Sequence, residues 1–128
     1  MPALNLSPQP LCRPDALAEA GDAVTFEVLD RDEPGRPVPA FAVRFGGQVM
    51  AYLNRCAHIP AEMDWVPGKF WDADGRYLIC AVHGALYDPP DGRCVSGPCR
   101  GARLQSIRVG EVDGQVCWYP DERFQPVF

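Results

Sequence analysis

The chain has 128 residues, 47% hydrophobic and 23% charged, enough for one domain with a real core and too few for two. Twelve basic residues against seventeen acidic ones give a formal charge of −5, which argues against nucleic acid as a partner. No stretch approaches the roughly 20 apolar residues of a membrane span, and residues 1–14 hold neither a basic-then-apolar leader nor a twin arginine. The expectation is a cytoplasmic protein with no membrane partner.

Residues 1–14 carry four prolines and no periodicity, and predict an extended lead-in. Residues 15–20, closed by Gly21, allow one short helical turn. Residues 24–29 mix β-branched and aromatic side chains and predict a strand. Residues 30–39, with three prolines, a glycine and five charges, predict a surface loop. The best hairpin signal follows: apolar runs 40–45 and 48–53 flank Gly46-Gly47, a pair that permits the positive φ of primed turns. Further strands are predicted at 76–80 and 86–87, with a turn at 88–92. A last hairpin, 104–109 and 116–119, is predicted around 111–114, and residues 120–128 read as a tail. Helix signals are nearly absent. The sequence predicts a single all-β domain, 1–128, of short antiparallel strands.

Both histidines of the chain follow a cysteine at short range, in Cys56-Ala57-His58 and Cys80-Ala81-Val82-His83. Two thiolates and two imidazoles form a four-ligand set of mixed softness, suited to an iron–sulfur cluster or to zinc. Zinc fingers place like ligands together, whereas here each loop carries one of each kind. Such an arrangement suits a two-iron core, each loop giving one ligand to each iron, and zinc stays as the rival. Of the other cysteines, Cys12, Cys94, Cys99 and Cys117, small buried hydrophobes are the plain reading. Two alternatives stay open: a Cys94–Cys99 disulfide, or an all-thiolate cluster on Cys56, Cys80, Cys94 and Cys99. Between the loops, Glu62, Asp64, Asp72 and Asp74 interleave with Trp65, Phe70 and Trp71. They read either as a solvated insertion whose aromatics pack on the domain or as a docking rim.

The strand–Gly-Gly–strand entry, Asn54-Arg55-Cys56-Ala57-His58, Cys80-Ala81-Val82-His83-Gly84 and Ser96-Gly97-Pro98 together resemble the Rieske [2Fe–2S] ferredoxins. The resemblance implies an antiparallel β-sandwich base with a small cluster-binding tip over residues 54–101. One [2Fe–2S] cluster would be held by Cys56, His58, Cys80 and His83, with the Gly97-Pro98 loop covering it. It also implies that the Tyr87 hydroxyl bonds the sulfur of Cys56; from the residues alone, a packed ring with its hydroxyl in water stays open. Three departures sort the chain within the family. Ala61 and Val82 stand where quinol-oxidising relatives carry a disulfide, Ala85 stands where they carry a serine donor, and the spacing between ligand loops is longer, the excess looking like 65–75.

Terminal oxygenases of the family need a second iron held by two further histidines, and none is left. The resemblance therefore implies a one-electron carrier that takes electrons from a reductase and passes them to a terminal oxygenase, without catalysis of its own. Two other readings remain: an accessory redox subunit of a nitrite-reductase-like complex, and a structural zinc or binding module.

Overall fold

In two strands every other side chain faces a different core, and that alternation organises the molecule. The computed structural model describes residues 4–57, 61–64, 66–82, 84–98 and 100–127. Along them run β1 (Gln9–Cys12), β2 (Val24–Asp30), β3 (Val38–Phe45), β4 (Gln48–Leu53), β5 (Leu78–Ile79) and β6 (Leu86–Tyr87). They are followed by β7 (Cys94–Ser96), β8 (Ser106–Ile107), β9 (Val109–Val112), β10 (Gln115–Trp118) and β11 (Phe124–Pro126). All pair antiparallel, in three sheets: β1-β10-β9, β11-β2-β3-β4-β8 and β5-β6-β7.

On the middle sheet, Ala40, Ala42, Ala51 and Leu53 face one way and pack with Val116 and Trp118 of β10. Phe41, Val43 and Tyr52 face the other way and pack with Leu78, Tyr87, Cys56 and Cys80. Side chains alternate across a strand, so β3 and β4 are buried on both faces and read as nearly unbroken apolar runs. One face closes the β-sandwich base, and the other carries the tip.

The hairpin between β3 and β4 turns on Gly46 and Gly47, with φ of 61° and 77°, as the primed turn requires. The Glu19 carboxylate accepts hydrogen bonds from both glycine N–H groups. Those bonds hold its pKa below the ordinary value, an effect that outweighs a slight opposing cost of desolvation.

Several segments differ from the sequence expectation. Within the lead-in, Gln9–Cys12 is extended as expected but is also the edge strand β1. The helical turn is a 3-10 turn at Pro14–Ala16 rather than at 15–20, since Pro14 starts it readily. The left-handed residue is Ala20 (φ 49°), not Gly21. Segment 104–109 splits between two sheets, β8 beside β4 and β9 beside β10. The last turn tightens to Asp113-Gly114, with φ of 50° and 75°. Segment 120–128 contains β11, which pairs with β2. Only a partner strand distinguishes a short strand from a tail.

Candidate metal centre

Two loops at the end of strands form the tip, and they close alike. The N–H of Cys56 donates to the carbonyl of Ala61, and the N–H of Cys80 to the carbonyl of Ala85, both at 2.9 Å. In the second loop the N–H of Gly84, at φ 70°, also returns to the carbonyl of Cys80. Among the described residues, the N–H of Ala81 donates to the carbonyl of Met63 and so ties the loops together. Each cysteine thus sits at the neck of a closed loop, and both are buried, at 3% and 0% exposure.

Asn54, buried two residues before Cys56, holds the first loop from beneath. Its side-chain carbonyl accepts from the N–H of Met63 (2.8 Å), and its amide donates to Asp64 (2.7 Å). The second oxygen of Asp64 accepts from the N–H of Gly68. Sequence reading missed this pairing and left Asp64 either in a solvated insertion or on a docking rim. A polar residue at the end of an apolar strand was a signal for Asn54, but nothing local joins it to a carboxylate ten residues on.

The segment between the loops packs on the domain. Phe70 is fully buried and stacks on Phe41, with ring centroids 3.8 Å apart. Trp71 stacks on Phe45 and donates its indole N–H to the carbonyl of Gly21. Asp72 accepts from the N–H groups of Arg76 and Tyr77. Of the four acidic side chains, only Glu62 and Asp74 are exposed. Trp65 lies outside the described residues.

Tyr87 of β6 is fully buried, with its hydroxyl 3.2 Å from the sulfur of Cys56. The same oxygen accepts the N–H of Ala57 at 3.0 Å. The hydroxyl and the sulfur are within hydrogen-bond distance, and a thiolate at Cys56 would accept the hydroxyl proton. The reading of a hydroxyl in water is thereby excluded.

Across the tip, Gly97 lies against Ala85: a Cβ on Gly97 would meet the Ala85 Cα at 2.9 Å, and its φ is 108°. The Gly97 backbone closes over the second loop at a distance only glycine allows, and Pro98 beside it is exposed. Cys94 joins Cys56, Cys80 and Tyr87 in the same buried cluster. His58, His83 and Cys99, and with Cys99 the proposed Cys94–Cys99 disulfide, lie outside the described residues.

Two buried thiols on adjoining loops, one beside a tyrosine hydroxyl at 3.2 Å, fit an iron–sulfur cluster. A model for the Rieske [2Fe–2S] domain matches residues 7–122, and the chain belongs to that family. No curated protein matches the sequence. Among solved structures, the fold is similar to the ferredoxin of carbazole 1,9a-dioxygenase from Nocardioides aromaticivorans IC177. The two are 20% identical with a TM-score of 0.66, over 90% of this chain and 99% of that one. The Sphingomonas yanoikuyae B1 ferredoxin is 22% identical with a TM-score of 0.63, over 88% of this chain and 98% of that one. The terminal oxygenase of the Nocardioides enzyme is 21% identical with a TM-score of 0.68, over 98% of this chain and 33% of that one. Among the described residues, no helix is long and apolar enough to cross a membrane.

Proposed function

We propose that the chain is a one-electron carrier whose [2Fe–2S] cluster is held by Cys56, His58, Cys80 and His83 and covered by the Gly97-Pro98 loop. It takes electrons from a reductase and passes them to a terminal oxygenase or similar acceptor, and is not catalytic alone. The fold shared with a ferredoxin of carbazole 1,9a-dioxygenase supports that place in a multicomponent system. The observation that carries the reading is the buried pair Cys56 and Cys80, with the Tyr87 hydroxyl on the first sulfur.

When bound, such a cluster supplies reversible uptake of one electron. The chain's own residues set how readily. Two neutral imidazoles in place of two thiolates remove negative charge from the site and ease reduction. The Tyr87 proton draws charge from the Cys56 sulfur, and burial of both sulfurs keeps water away from them. The cytoplasm is the compartment that suits this carrier: Cys12 and Cys117, neighbours across β1 and β10, stand as thiols.

Metal analysis with electron paramagnetic resonance tests the reading. The expected result is two irons and two sulfides per chain, with a rhombic signal on one-electron reduction. A colourless protein holding one stoichiometric zinc after anaerobic preparation would overturn it. His58→Cys or His83→Cys, where the cluster survives, is expected to lower the potential by adding thiolate charge.

A further inference from the structure

Among the described residues, five of the twelve basic side chains form ion pairs with carboxylates: Arg13, Arg44, Arg55, Lys69 and Arg123. Arg31, Arg36, Arg76, Arg93, Arg100, Arg103 and Arg108 do not, and of these Arg93, Arg100 and Arg103 are exposed beside the Gly97-Pro98 loop. Their arrangement is costly. The N–H of Cys94 donates to Ala102 and that of Leu104 to Gly92, so the bridge between Arg93 and Arg103 is a non-hydrogen-bonded antiparallel pair. In such a pair the side chains share a face at their closest approach, and like charges directly opposite destabilise the pairing.

Arg93 and Arg100 also line one open cleft with Asp88, Asp91 and Val95. The Asp91 carboxylate is occupied by the N–H of Arg93, and neither aspartate reaches ion-pair distance of an arginine among the described residues. Val95, which lines the cleft with Arg93 and Arg100, is 37% exposed, and Pro98 of the neighbouring loop is exposed. An apolar centre with an arginine rim is the composition of a protein interface. On a chain of net charge −5, three arginines against the two aspartates of the cleft leave this face locally positive by one, and its opposed Arg93–Arg103 pair calls for an anionic counterpart.

We infer that the Arg93, Arg100 and Arg103 rim around Val95 and Pro98 docks a carboxylate-rich face of the redox partner protein. The inference rests on the carrier reading, because it puts docking beside the loop that packs against the second cysteine loop. It also moves docking away from the acidic segment between the ligand loops.

The test uses the full chain, its cluster content fixed first by spectrum, so that failure of the carrier reading is seen there and not in the binding. Dye-labelled poly-L-glutamate, a stand-in for a carboxylate-rich face, is titrated by fluorescence anisotropy, a readout that needs no cluster. Binding is expected at low salt, weakened at least about tenfold between roughly 0.01 and 0.3 M ionic strength as screening grows. The triple variant R93Q/R100Q/R103Q is expected to lose it, and Arg13→Gln to keep it. In stopped flow, oxidation of the reduced holoprotein by ferricyanide is expected to slow with added salt, despite the net negative charge of the chain. Single Arg→Gln variants serve if the triple fails to fold. No binding to poly-L-glutamate, binding unchanged in the triple variant, or a ferricyanide rate that rises with salt would each overturn the proposal.

Discussion

Replacing Tyr87 with phenylalanine removes an oxygen atom whose partners among the described residues include the sulfur of Cys56 and the N–H of Ala57. The two losses act on different observables. A hydrogen bond to a charged acceptor is worth roughly 1.5–3 kcal/mol, and only the part that strengthens on reduction moves the potential. Taking about 1–2 kcal/mol for that part, at about 59 mV per tenfold change for one electron, the potential is expected to fall by roughly 40–90 mV. The second loss strands the Ala57 amide under a fully buried ring, at a cost of about 1–3 kcal/mol of stability. Voltammetry of the Phe variant reads the first effect, and denaturant unfolding of the same sample reads the second. An unchanged midpoint with reduced stability would refute the electronic role and leave Tyr87 as a clamp on the first loop. With Ala85 in place of a second donor, the wild-type potential is expected to be intermediate to low.

Glu62→Lys and Asp64→Lys add the same charge two residues apart, yet only Asp64 holds Asn54 and Gly68. Asp64→Lys is expected to lose about 2–4 kcal/mol and much of its cluster, whereas Glu62→Lys folds normally; equal melting temperatures would contradict this. Gly97→Ala puts a methyl against the Ala85 backbone at a φ of 108°, and is expected to cost at least about 2 kcal/mol and to raise oxygen sensitivity of the cluster. Burial raises the Asp30 pKa, but the Arg123 fork and the Asp32 N–H outweigh it and hold the pKa below the ordinary value. A depressed pKa gives stability that is present above about pH 4 and lost as pH falls through the folded value. Asp30→Asn should therefore be less stable at neutral pH and show a shallower acid loss; parallel acid curves would reject this account.

The sequence by itself narrowed the chemistry to a metal-binding Cys/His set and determined the local turn geometry. The spacing of Cys56, His58, Cys80 and His83 offers a mixed set of candidate ligands without reference to anything distant. Gly46-Gly47 specifies its turn because glycine takes positive φ values at no steric cost. The apolar runs at 40–45 and 48–53 gave strands, but not that their odd and even residues serve two different cores. Tertiary structure decided whatever depends on a partner far along the chain. Residues 124–126 are a strand because β2 offers an open edge, and Phe70 is buried because Phe41 faces it. Asp64 is a loop brace because Asn54 turns beneath it, and no residue near Asp64 records that choice. The arginines at 93 and 103 look unremarkable ten residues apart; pairing across a bridge makes them neighbours that repel. Local rules act through covalent distance and φ, so the sequence displays them, whereas hydrogen bonds, stacking and charge act through space, which only the fold supplies.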